Sequence, residues 1–253
     1  MGELLSLLCA LVWAVAVIFF KKSGESVHPI ALNSFKNSVA ILLFIPTIFI
    51  LEGGLPPDVP LEDYLLLLAS GAIGIAAADT LFFQALNILG ASLTAIVDCL
   101  YVPFVVLCSM AMLGDSITAT QAGGIALILT GIIVSTSGSW KRKNSPTAVT
   151  SGPPPTKPLP PKRLALGILL GTLSMFGMAF GIVMVKPQVE AYPVVWVSEM
   201  RMLGGMLTLA VMLAFNRNRK TILGTLKNPR GRKFALAGAF VGGYLAMMVW
   251  SLG

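Results

Sequence analysis

Charge is scarce in this chain. Asp, Glu, Lys and Arg make up 11% of its 253 residues, against about 25% in soluble globular proteins. Histidine occurs once, as His28, and cysteine three times. No nucleophile–base pair or metal-ligand spacing can be assembled from so few such groups, so no catalytic residue, metal or cofactor is expected. Cys9, Cys99 and Cys108 lie inside apolar runs and read as small packing residues. What is abundant is apolar: 56% of residues are hydrophobic and the mean hydropathy is +0.85. That balance excludes a cytosolic enzyme, a disordered chain and an ordinary nucleic-acid binder.

A membrane helix needs about 20 mostly apolar residues. Eight segments meet that need, at roughly 3–20, 30–51, 62–88, 91–113, 118–138, 164–185, 193–215 and 234–252. Turn chemistry separates them, as at Gly53-Gly54-Leu55-Pro56-Pro57 and Gly114-Asp115-Ser116. Lipid offers the backbone no hydrogen bonds, so the segments are expected to be helices. Residues 3–20 lack a basic start and a small-residue cleavage site, and read as a retained helix. The expected fold is an all-α polytopic membrane protein.

Residues 139–163 differ in composition. They are rich in Pro, Ser and basic residues, with Pro153-Pro154-Pro155 followed by Pro158, Pro160 and Pro161. Such a stretch favours extended polyproline II and reads as a semi-rigid tether. Of the eighteen Lys and Arg, all but Lys36, Lys186 and Arg201 fall on one side of eight alternating crossings. The positive-inside rule makes that side cytoplasmic and turns the N-terminus outward. The excess basic charge is therefore read as membrane orientation, and no nucleic-acid partner is expected.

The chain also carries a faint internal repeat. With Pro29 over Pro193, Lys22 falls on Lys186 and Ser34 on Ser198, and Lys36 lies beside Arg201. Further on, Gln84-Ala85-Leu86 meets Trp250-Ser251-Leu252 across a small gap. Five helices precede the tether, an odd number, so a second copy enters the membrane inverted. The expected units are residues 1–138, a first repeat of five helices, and 164–253, a partial second repeat of three. In this register, counterparts of the first copy's last two helices are absent from the C-terminus.

One stretch resembles a known family. Gln84-Ala85-Leu86-Asn87, Ala91-Ser92-Leu93-Thr94-Ala95, Pro103, Leu113-Gly114-Asp115, Thr118, Gln121, Gly123 and Gly131-Ile132-Ile133 are similar to the EamA-type domain of the drug/metabolite transporter superfamily. Trp13, Lys21, Pro29 and a basic residue in the second helix fit the same pattern. Asp115 departs from the family's usual Glu, and Lys36 from its commoner Arg. The resemblance implies export or exchange of small metabolites or drugs, and ten helices in two repeats. It also implies cytoplasmic termini, where the charge count places the N-terminus outside.

Five charges fall inside apolar segments: Lys36, Asp79, Asp98, Glu199 and Arg201. Intramembrane charge defaults to function. At 1.5 Å per residue, Lys36, Asp98 and Asp79 lie roughly 9, 10 and 13 Å from the cytoplasmic end. One cation and two carboxylates at that depth are expected to cluster. The carboxylate left over after pairing is free to carry a proton or meet a cationic solute. Arg201 mirrors Lys36, roughly 12 Å from the opposite end. Trp13 and Tyr101 are candidate aromatic linings, and Pro103 a candidate kink. Gly71, Gly74, Ala76, Ala77 and Ala78 read as a face for close helix packing, as do Gly123, Gly124 and Gly131.

These observations point to a permease working by alternating access in a plasma (inner) membrane, with a small-molecule solute and the bilayer as partners and a homodimer as one option. Asp98, Asp79, Lys36, Arg201, Tyr101 and Trp13 are its candidate substrate or coupling residues. The alternative reading is a truncated, transport-incompetent form acting through assembly with a partner.

Overall fold

The computed structural model describes residues 2–56, 58–141 and 160–251. Most of the proline-rich tether lies outside them. Among the described residues there is no strand, and seven helices are long and apolar enough to cross a membrane. We label the long helices α1 (Gly2–Gly24), α2 (Pro29–Leu51), α3 (Leu61–Leu89), α4 (Ala91–Leu113), α5 (Ala119–Lys141), α6 (Pro161–Val183), α7 (Val194–Phe215) and α8 (Pro229–Ser251). The expected eight segments are all helical. Over the residues searched, α5 contributes the shorter apolar helix Ala119–Val134.

Helix ends follow local chemistry. Pro29 and Pro229 sit at first-turn positions, where a missing N–H costs nothing. His28 caps α2, its Nδ1 accepting the Ile30 N–H at 3.3 Å. Asn228 caps α8 by accepting from the Arg230 and Gly231 N–H groups at 3.1 and 3.2 Å. This cap starts α8 five residues before the hydropathy signal at 234, because capping tolerates the basic first turn. Two short helices, Lys186–Ala191 and Arg219–Gly224, fill the connections on either side of α7. Helix α4 breaks at Cys99 and Leu100. Pro103, four residues on, has no N–H to close that turn.

Hydrogen bonds between chain-distant segments tie the helix ends into two groups. At one end Lys21 Nζ donates to Asn87 O (3.3 Å), Ser23 Oγ to Gly231 O (3.0 Å), and the His28 N–H to Thr225 Oγ1 (3.1 Å). At the other, Glu52 accepts the Val195 and Trp196 N–H groups at 2.9 and 3.2 Å. Its carboxylate thereby caps α7, whose own Pro193 provides no side-chain cap. There too, Asp63 accepts from Gln188 Nε2 and Tyr192 Oη at 2.8 and 2.6 Å. This grouping requires α1 and α6 to run in opposite directions.

The packing is an exchange. Helix α1 lies along α8 and α6 along α3, while α2 and α7 cross each other and the third helix of the opposite triplet. Trp196, Phe20, Phe44, Phe82 and Phe83 are its largest fully buried side chains. Many large apolar side chains point outward, among them Leu42, Ile50, Leu127 and Phe215. In water such a surface would be a liability; in lipid it is the expected exterior.

Candidate functional site

Helix α3 meets α6 and α7 at a crossing only small residues permit. A Cβ on Gly71 would stand 1.8 Å from Arg201 O, and one on Gly204 2.2 Å from Leu68 O. Gly181 stacks on Gly74, with its Cβ position 3.1 Å from the Gly74 Cα. The small face of α3 is thus a packing face, as its composition suggests. The same reading fails for Gly123, Gly124 and Gly131, which meet no atom within 4 Å. They lie on α5, where the described helix leaves open space around them.

Within this crossing α3 changes its winding. Residues Ala72–Ala78 form a π-helical segment, and so do Ala239–Leu245 of α8. A π turn releases backbone carbonyls from the i→i−4 ladder. Asn33 meets two of them, its Nδ2 donating to Ile75 O at 2.8 Å and Ala76 O at 3.3 Å. Ser174 Oγ of α6 donates to Ala78 O at 2.7 Å. On the other side Cys9 Sγ of α1 donates to Ala246 O at 3.4 Å. In the last two cases the first helix of one triplet, α1–α3 or α6–α8, serves the altered third helix of the other. The register that sets Gln84 over Trp250 also sets the two π segments within one residue of each other.

The charged groups sit against these segments. Lys36 donates to the Asp79 carboxylate, both side chains being buried. The Lys36 stem passes Gly243 in the π segment of α8, where a Cβ would be 3.2 Å from Lys36 Cγ. Arg201 mirrors this on the other side, its Nη2 standing 3.4 Å from the Cβ position of Gly74. Arg201 Nε donates to Ser70 Oγ at 2.9 Å, and Ser70 Oγ to Gly181 O at 2.5 Å.

The structure therefore clusters Lys36 with Asp79, and sets Arg201 against Ser70 and Gly74. It does not bring Asp98 into that cluster, contrary to the expectation from depth alone. Asp98 faces α1, where Trp13 Nε1 donates to its Oδ2 at 3.5 Å. Its Oδ1 is buried with no partner among the described residues. Depth along a helix says nothing about azimuth, and Asp98 lies on the arc turned to α1. Trp13 also packs on Phe20 and Phe82, at ring separations of 6.4 and 5.9 Å. Sequence reasoning missed the polar supports Asn33, Ser70 and Ser174. Asn33 was findable, as one of two amides, with Asn37, a turn apart in an apolar helix.

At the end that holds Glu52, Asp115 binds Lys186 at 2.9 Å and accepts a bond from Ser109. A cavity of about 410 Å³ opens beside this pair, lined by Val105, Val106, Met110, Ile117 and Gln121 among others. The Ser109 hydroxyl, with the Lys186 ammonium, holds the Asp115 carboxyl below the ordinary carboxylate range. A carboxylate depressed in the folded state contributes above its ordinary value, and the contribution is lost as pH falls through the folded value. The link is expected to hold at neutral pH and to open in acid, below about pH 3.9. Spin labels at Ser116 and Pro187 check this: their distance distribution should broaden in acid, and Asp115→Asn should broaden it at neutral pH.

Residues 1–137 match the EamA-like transporter family. No curated protein matches the chain. A solved structure titled only "Crystal structure of protein" superposes with a TM-score of 0.49 at 14% identity, covering 96% of this chain and 83% of its own.

Proposed function

The chain belongs to the EamA-like transporter family, and from that premise we propose that it is a permease for small solutes working by alternating access between inverted halves. The halves are residues 1–138 and 164–253, joined by the tether at 139–163. One observation carries this reading: charged side chains are buried where the two triplets cross, each cation lying against the π segment of the opposite triplet. Burying such charges costs several kcal/mol each, about what a transporter spends on a polar site inside lipid. The paired π segments supply the irregular backbone that binding sites in such proteins share.

The roles divide by environment. Lys36 and Asp79 hold α2 to α3 at the crossing. Arg201 and Tyr101 face the solute. Asp98, with one oxygen unpartnered, takes up and releases the coupling proton, and Trp13 orients it. The basic end, with Arg219, Lys220, Arg230 and Lys233, faces the cytoplasm of a cell whose inner membrane holds the protein.

Two-sided labelling tests the mechanism. Tyr101→Cys, in a chain with Cys9, Cys99 and Cys108 replaced by Ala, is exposed to a membrane-impermeant maleimide from either face. Alternating access gives labelling from both faces, with a proton gradient shifting the ratio between them. Labelling from one face only, whatever the gradient, contradicts it.

A further inference from the structure

The end of the bundle that holds Lys21 and Ser23 carries charge of one sign. Residues 21–28 and 216–233 contain nine Lys and Arg against one acid, Glu25. Lys22, Arg230, Arg232 and Lys233 are exposed, and none of them forms an ion pair among the described residues. At the opposite end Glu52, Asp63 and Asp115 are all bonded within the protein. Unpaired cations at a membrane boundary attract anionic headgroups.

Two of these cations meet where α1 ends beside the start of α8. Ser23 Oγ donates to Gly231 O at 3.0 Å, which sets Arg230 next to the last turn of α1. Lys22 Nζ stands 5.2 Å over the ring of Phe234, one helical turn after Arg230. Phe19 stacks on the same ring at 6.5 Å. The ring steadies the ammonium from one side and leaves N–H donors free on the other. Below Lys22, at helical spacing on one face of α1, come Ile18, Val15 and Leu11. They are 51%, 46% and 60% exposed. An anion held by the two cations therefore has an open apolar stripe running away from it into the membrane. A lipid uses both features, and a soluble anion has no use for the second.

We propose that the junction of α1 and α8 binds an acidic phospholipid. Its phosphate sits between Lys22 and Arg230, and one acyl chain lies along Ile18, Val15 and Leu11. Because α1 and α8 belong to opposite triplets, this lipid bridges the two halves at the basic end.

The test is native mass spectrometry of the full chain in neutral detergent. The chain is equilibrated with an equal mixture of phosphatidylglycerol and phosphatidylcholine of matched acyl chains, at physiological ionic strength. Phosphatidylglycerol is expected to be retained in preference, and an excess of glycerol phosphate, the headgroup without chains, should not displace it. Lys22→Gln and Arg230→Gln should each weaken retention about fivefold, the effect of losing about 1 kcal/mol per basic group. Lys220→Gln removes the same charge from the short helix Arg219–Gly224, which packs beside α2, and should change little.

Equal retention of the two lipids would overturn the proposal, and so would unchanged retention by Lys22→Gln and Arg230→Gln. Displacement by glycerol phosphate would mean a soluble-anion site instead. Equal weakening by Lys220→Gln would mean a diffuse positive field with no site. The comparison of the two lipids needs no variant, so a misfolded mutant does not spoil it. The readout is binding alone, so it stands or falls apart from the transport reading.

Discussion

Asp79→Asn destabilises the helix bundle by roughly 3–5 kcal/mol, the usual result of leaving one partner of a buried ion pair uncompensated. Lys36 loses the one carboxylate that pairs with it among the described residues. The Lys36 ammonium is then left uncompensated in low dielectric. Lys36→Met removes the other partner but leaves Asp79 near Arg201, so its loss should be smaller. The double variant Lys36→Met with Asp79→Leu should recover much of the loss, because a well-packed apolar pair often equals a buried ion pair in stability. Unfolding midpoints in mild detergent give the order directly. A double variant no better than Asp79→Asn would mean that the pair holds the bundle by something other than mutual neutralisation.

How much of this was legible beforehand depends on what each feature needs. The helices were legible because a membrane imposes a length and forbids unpaired backbone, so hydropathy alone reveals them. That Lys36 meets a buried carboxylate was legible from depth, although depth did not choose between Asp79 and Asp98. Asp98 was not placed correctly by the same reasoning, because rise per residue fixes height and leaves azimuth open. The π segments were invisible. Ala72-Ile73-Gly74-Ile75-Ala76-Ala77-Ala78 has the composition of any packed membrane helix, and the extra residue per turn is imposed by the crossing. Their one outward sign is the polar side chain that meets the released carbonyls, Asn33.

The glycines divide in the same way. Gly71 and Gly204 are required by backbone approach, and a Cβ at either position would collide with main-chain oxygen. Gly123, Gly124 and Gly131 look alike in sequence and meet nothing. A small residue permits close packing without causing it, so the partner surface decides. Glu52 reads as a loop acid, yet caps a helix more than a hundred residues further along the chain. Long-range capping of this kind leaves no local pattern to read.

The largest functional effect is expected at Asp98. Among the described residues its Oδ2 is held only by a 3.5 Å bond from Trp13, and its Oδ1 is buried with no partner. A carboxylate so placed has no structural bond worth much to lose, since a net hydrogen bond contributes only about 1 kcal/mol. Asn is nearly the same size and can still accept from Trp13, but it cannot exchange a proton near neutral pH. Asp98→Asn should therefore insert, fold and melt like the parent while losing proton-coupled flux, and Asp98→Glu should retain part of it.

The decisive measurement is solute uptake by proteoliposomes under an imposed proton gradient, parent against Asp98→Asn, with a broad panel of small metabolites as solutes. The expected result is gradient-driven uptake by the parent and uptake at the empty-liposome level by Asp98→Asn, with equal insertion and equal Tm. Equal uptake by both proteins, or none by a correctly inserted parent across the whole panel, would contradict the proposal that this chain is a proton-coupled permease.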